Sequence, residues 1–221
     1  MQITSAESAE GKTLTAANLA VAFASADRHV AVVGCDLRRP RLHELFGLPN
    51  DVGFTSVVLG DVRAFDALQV VSGHPNLAVL AAGPLAPNPS ELLGSARAQD
   101  AISALADTAD LVLIDSPPVL PVSDALVISG FVDATILVAS AGSSTRRSIR
   151  RALELLRQLD APVVGTVLNN AEPDSRSGYS SYPSTSSEVP ANGTNGTNST
   201  NGTNGSRAGR RQLSVSKRSA R

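Results

Sequence analysis

Tryptophan is absent from this chain of 221 residues, cysteine and methionine occur once each, and aromatic residues make up 3%. The lone cysteine, Cys35, excludes an internal disulfide and fits a reducing cytosol. No apolar run reaches the roughly eighteen residues that a membrane-spanning helix needs. No charged segment followed by an apolar one opens the chain, so no signal peptide is expected. Net charge is also small, at −1, but it is unevenly placed. Residues 174–221 carry an excess of five positive charges and the body is acidic by six. A chain of this length holds one domain with a sizeable core plus a tail.

What is present begins at once. Ile3-Thr4-Ser5-Ala6-Glu7-Ser8-Ala9-Glu10-Gly11-Lys12-Thr13 reads as a strand, a phosphate-binding loop and the start of a helix. Polyphosphate is bound by backbone N–H groups at a helix N-terminus, where the helix dipole favours anions. Gly11 lets the backbone approach without a Cβ. Lys12 can reach the β- and γ-phosphates, and the Thr13 hydroxyl can ligate Mg²⁺. Ala6 stands where the first glycine of G-x-x-x-x-G-K-[ST] is usual. The first strand begins almost at Met1, so further sequence is expected upstream.

Beyond the loop, β-branched runs alternate with helical patterns as far as about residue 172. Strands are expected at Gln2–Ser5, Val30–Gly34, Leu77–Ala81, Leu111–Asp115, Thr135–Ala139 and Val163–Asn169. Helices are expected at Lys12–Ala26, Ser90–Ala106, Ser123–Ser129 and Ser144–Leu159. This alternation specifies an α/β fold, a mostly parallel sheet sandwiched between helices, with ligands at the C-terminal edge of the strands. Two acidic strand ends point to that edge. Asp36, after Val30–Gly34, arrives beside the phosphates if its strand lies next to the first one, and a carboxylate there can hold Mg²⁺ directly or through water. It can equally cap the next turn. Arg38 and Arg39 can meet phosphate or a partner's carboxylate. Leu111-Val112-Leu113-Ile114-Asp115 has the Walker B arrangement, with Asp115 aimed at the metal.

After Pro173 the composition changes to Ser, Thr, Asn and Gly, which bury too little apolar surface to offset ordering entropy. Residues 174–221 are expected to be a disordered tail. Its Asn-Gly-Thr repeats match glycosylation sequons, but without a signal peptide they read as linker. Arg207 to Arg221 holds six basic residues and no acid. Its plain reading is a solvated tail, and a second one is contact with anionic lipid or nucleic acid.

Taken together, residues 2–170 resemble the bacterial tyrosine kinases of capsule and exopolysaccharide assembly, which are P-loop NTPases. The likeness lies in Glu10-Gly11-Lys12-Thr13, Cys35-Asp36-Leu37-Arg38-Arg39-Pro40, Pro87-Asn88-Pro89-Ser90-Glu91-Leu92-Leu93, Leu113-Ile114-Asp115-Ser116-Pro117-Pro118 and Asp124-Ala125. The resemblance implies ATP bound at Glu10, Gly11, Lys12, Thr13 and Leu14, with Asn169 near the adenine. It implies Mg²⁺ held by Thr13, Asp36 and Asp115, and catalysis through Lys12, Asp36 and Asp115. It also implies γ-phosphoryl transfer in trans to tail tyrosines, here Tyr179 and Tyr182, the only tyrosines in the chain.

Further implications concern the setting. They are a homo-oligomer, a membrane-anchored chain-length co-polymerase as partner or as a preceding N-terminal domain, a place at the inner face of the plasma membrane, and no specific nucleic acid. The chain departs from the family pattern at two places. Ser8-Ala9 replaces Pro-Gly, and Gly34 replaces the first Asp of Asp-x-Asp-x-Arg, which in the family is a candidate base for the tyrosine hydroxyl. These departures leave open a catalytically weak ATP-binding regulatory subunit. A partition-type ATPase is a further alternative, but such proteins carry a lysine where this chain has Glu7.

Overall fold

The computed structural model describes residues 1–172. Tyr179, Tyr182 and the basic end lie outside the described residues.

Seven strands form one sheet in the order β3-β4-β2-β5-β1-β6-β7. They are β1 (Gln2–Ser5), β2 (Val30–Gly34), β3 (Gln69–Val71), β4 (His74–Leu80), β5 (Leu111–Asp115), β6 (Thr135–Ser140) and β7 (Val163–Asn169). All neighbours are parallel except β3, which pairs antiparallel with β4 at one edge. The helices are α1 (Lys12–Ser25), α2 (Leu42–Phe46), α3 (Phe54–Leu59), α4 (Ala64–Ala67), α5 (Pro89–Leu93), α6 (Ala96–Ala106), α7 (Asp124–Ser129) and α8 (Arg146–Gln158).

The continuous apolar strands are explained by burial on both faces. In β2, Ala31 and Val33 join a cluster with Ile102 and Leu105 of α6. Val30 and Val32 join another with Ala20 and Ala24 of α1. The residues that α1 buries beyond its first turn, Ala16, Ala17, Ala20 and Ala24, are all small. Fully buried side chains such as Leu113 and Leu137 each contribute about 1.5–3 kcal/mol.

The expected strands and helices are present, with three differences. The helix expected over Ser90–Ala106 is two helices, because Gly94 and Ser95 break it and Ser95 Oγ accepts a hydrogen bond from the Ala98 N–H as a new N-cap. Helices α2, α3 and α4 and strand β3 lie in residues 42–71, where no element was expected. Strand β2 is not beside β1, since β5 lies between them.

Candidate functional site

The loop between β1 and α1 is held in shape from within. Ser5 Oγ donates to the Glu7 carbonyl at 2.7 Å, and the Glu7 N–H donates to Glu10 Oε2 at 2.8 Å. The buried Glu10 carboxylate also accepts from Ser144 Oγ, in the turn before α8. Gly11 has φ +90, a left-handed value that L-residues avoid. A Cβ on Gly11 would stand 1.9 Å from Asn169 Nδ2, and that amide donates to the Glu10 carbonyl at 3.3 Å. Asn169, at the end of β7, thus lies over the loop. Gly11 is the N-cap of α1 and offers no side-chain acceptor, so no side chain caps the first turn of the helix. This is the local arrangement that anion binding needs.

Ala9 has φ 64. An alanine therefore occupies a left-handed position, at the place where the family pattern has glycine.

Beneath the loop the two acidic strand ends converge on one lysine. Lys12 Nζ donates to Asp36 Oδ2 at 2.8 Å and lies 3.7 Å from Asp115 Oδ1. Thr13 Oγ1 donates to Asp115 Oδ1 at 3.1 Å. Lys12, Asp36 and Asp115 are all buried. Burial pushes the Asp115 pKa up to about 6, against the opposing pull of the Lys12 charge and the Thr13 hydrogen bond. The register pairs Gly34 with Asp115, which sets the carboxylates of β2 and β5 on the same edge. The expected convergence is therefore reached through β5 rather than through β1. Asp36 also caps its own turn, with Oδ1 accepting from the Arg39 N–H at 3.0 Å.

Of the remaining expected residues, Leu14 is 48% exposed on the first turn of α1. The Glu10 side chain braces the loop. Arg38 takes an internal partner: Nε and Nη2 donate to the fully buried Asp124 carboxylate at 2.8 and 3.1 Å. Nη2 also donates to Ser90 Oγ at 3.2 Å, and Ser90 Oγ donates to Asp124. Burial opposes the Asp124 charge, but the hydrogen bonds from Arg38 and Ser90 outweigh it and hold the carboxyl below its ordinary range. Three of the five segments that carry the family likeness therefore meet in one clamp: the loop after β2, the start of α5 and the start of α7. At Gly34 a Cβ would lie 3.1 Å from the backbone nitrogen of Ala82.

Sequence comparison decides the family. The profile of the CobQ/CobB/MinD/ParA nucleotide binding domain matches residues 1–188. Tyrosine-protein kinase YwqD of Bacillus subtilis is 37% identical over 182 residues, a span covering 82% of this chain and 76% of that protein. This chain belongs to the bacterial tyrosine kinase family. The putative tyrosine-protein kinase CapB of Staphylococcus aureus is 35% identical over 81% of this chain and 78% of its own length. The solved kinase domain of Escherichia coli tyrosine kinase ETK superposes with a TM-score of 0.75 at 33% identity, covering 81% of this chain and 70% of that one. The tyrosine kinase fold is thus a P-loop α/β sheet here too, and buried Lys12, Asp36 and Asp115 with half-buried Thr13 cluster at the C-terminal edge of its parallel strands.

Proposed function

We propose that this kinase-family domain binds ATP with Mg²⁺ and transfers the γ-phosphoryl group to tyrosines of its own tail, Tyr179 and Tyr182, on a neighbouring copy. The observation that carries the reading is the convergence of Lys12, Thr13, Asp36 and Asp115 below a loop whose helix end is uncapped. The donor set fits the metal, since Thr13, Asp36 and Asp115 offer the hard oxygens that Mg²⁺ requires, and two buried carboxylates share a single cation. Bound Mg²⁺ neutralises charge on the β- and γ-phosphates.

The chain's own residues supply positioning. The N–H groups at the start of α1 hold phosphate oxygens. Lys12, which pairs with Asp36 at 2.8 Å, would stabilise the charge of the transferring group. Asn169, whose amide reaches the Glu10 carbonyl of the loop, would face the adenine in this reading. In the transfer the tyrosine oxygen bonds to the γ-phosphorus, the bond from that phosphorus to the departing ADP oxygen breaks, and the tyrosine proton leaves to a base or to water. Residues 1–173 form the kinase domain in this reading and 174–221 the substrate tail. The setting is regulation of capsule or exopolysaccharide export by a homo-oligomer, at the inner face of the plasma membrane beside a membrane-anchored co-polymerase.

Incubation of the full chain with ATP and Mg²⁺ should yield phosphotyrosine at Tyr179 or Tyr182, and Lys12→Met should yield none. Absence of phosphotyrosine in the parent assembly would remove the autokinase reading. A second reading, an ATP-binding regulatory subunit with little transfer, is favoured by Gly34, which offers no carboxylate to take the tyrosine proton. Its signature is ATP binding that Lys12→Ala abolishes, without phosphotyrosine.

A further inference from the structure

We propose that the basic face of α8 is a docking surface for an anionic lipid bilayer. This goes beyond the phosphotransfer reading and does not depend on it. Helix α8 carries Arg146, Arg147, Arg150, Arg151 and Arg157 against one acid, Glu154. Four of these arginines fall in the first two turns. There the positive end of the helix dipole disfavours cations, and Arg146/Arg150 and Arg147/Arg151 repel at i,i+4 spacing. No acidic residue stands in the first turn to relieve them. Among the described residues the five arginines have one ion-pair partner, Glu154, 3.5 Å from Arg151 on an exposed surface. Such a pair is worth little.

The helix survives this conflict through its other face. Thr145 and Ser148 form a capping box, and Ala152 and Leu156 are buried against the sheet. Folding therefore does not need the arginines, and folding alone would select against their placement. Sequence features that break a local rule without a structural return mark binding surfaces.

The rest of the domain gives the partner's charge and the orientation. Outside α8, residues 1–172 hold seven basic and seventeen acidic side chains. An anionic surface repels that body and attracts α8, so one face approaches. Exposed aliphatic side chains occur just after α8 and on the edge strand β7. Leu159, directly after α8, is 53% exposed, and Val164 and Leu168 on the edge strand β7 are 65% and 63% exposed. Arginines with exposed aliphatics are the composition of a surface that lies on a bilayer. An acidic protein partner would match the charges but gives no reason for aliphatics spread over a helix end and an open strand.

The test is co-sedimentation of the full chain with vesicles, without nucleotide. One set is phosphatidylcholine alone, and the other contains roughly a third phosphatidylglycerol. Binding is expected to the anionic set only, and to fall with added salt. Each arginine near such a surface is worth about a fivefold change in partitioning, so a variant with Arg146, Arg147, Arg150 and Arg151 all changed to Gln should lose about a hundredfold or more. The basic end of the tail is present in both proteins, so the difference reports on α8. The variant should melt at or above the parent's temperature, since the arginines oppose the helix, and its ATP binding should match the parent's, which separates this outcome from a failure of the nucleotide site. Equal partitioning of parent and variant overturns the proposal. So does a parent that ignores both vesicle sets but self-associates through these arginines, a result that would assign the face to a second copy of the chain.

Discussion

Replacing Ala9 with glycine tests whether the phosphate loop is strained. Ala9 has φ 64. A left-handed conformation costs an L-residue about 1–2 kcal/mol, because its Cβ crowds the following carbonyl. Three other non-glycine residues among the described ones have positive φ, namely Asp27, Asp160 and Asn170. Those are residue types whose short polar side chains tolerate that region, whereas alanine has no such compensation. Glycine removes the strain but frees the unfolded chain, which offsets about 0.4–1 kcal/mol. The net expectation for Ala9→Gly is a gain of about 0.5–1 kcal/mol, or roughly 1–3 °C in Tm for a domain of this size. Urea unfolding without nucleotide reads it as a higher midpoint at unchanged m-value. Asp27→Gly, measured alongside, should gain less. An Ala9→Gly protein that unfolds at a lower urea concentration would refute the reasoning, since it would mean that the backbone at position 9 is not left-handed in solution.

Other outcomes follow from the same geometry. Gly11→Ala should abolish nucleotide binding in calorimetry, and adding Asn169→Ala should restore only part of it, because that removes the 1.9 Å clash but leaves the φ of +90. Gly34→Asp, which restores the family's carboxylate, should lower stability by about 2 kcal/mol in urea unfolding, since its Cβ would lie 3.1 Å from the Ala82 nitrogen. Arg38→Ala should cost about 2 kcal/mol, less than the ~3–5 kcal/mol of a fully buried pair because the guanidinium is half exposed. That cost depends on pH. The Asp124 carboxyl is held below its ordinary pKa, so its contribution is present above the carboxylate range and lost as pH falls through the folded value. Unfolding curves of parent and Arg38→Ala should therefore converge below about pH 4.

The central strands were legible because burial on both faces leaves continuous β-branched runs, and the loop was legible because Gly-Lys-Thr follows one of them directly. Asp36 and Asp115 were legible as strand ends. Their meeting on Lys12 was not, because that requires the strand order, and β5 rather than β1 turned out to be the neighbour of β2. Residues 42–71 stayed silent because helices of four to six residues are too short to display a helical period. The apolar pattern ran on through Gly94-Ser95, so one helix was expected where a Ser95 cap makes two. The charges of Arg38 and Asp124 were visible in the sequence, but 86 residues separate them, and nothing local says that they pair.

The Glu10 brace bears on how the loop tolerates sequence drift. Its carboxylate gathers the Glu7 N–H and the Ser144 hydroxyl, and its carbonyl takes the Asn169 amide. The curvature is thereby specified by a contact within the loop and by two distant segments instead of by a string of glycines. Mutations that erode the glycines, as at Ala6 and Ala9, can accumulate while the scaffold keeps its shape. A change at Ser144 or Asn169, outside the motif, is the more damaging event for an inherited copy of this domain.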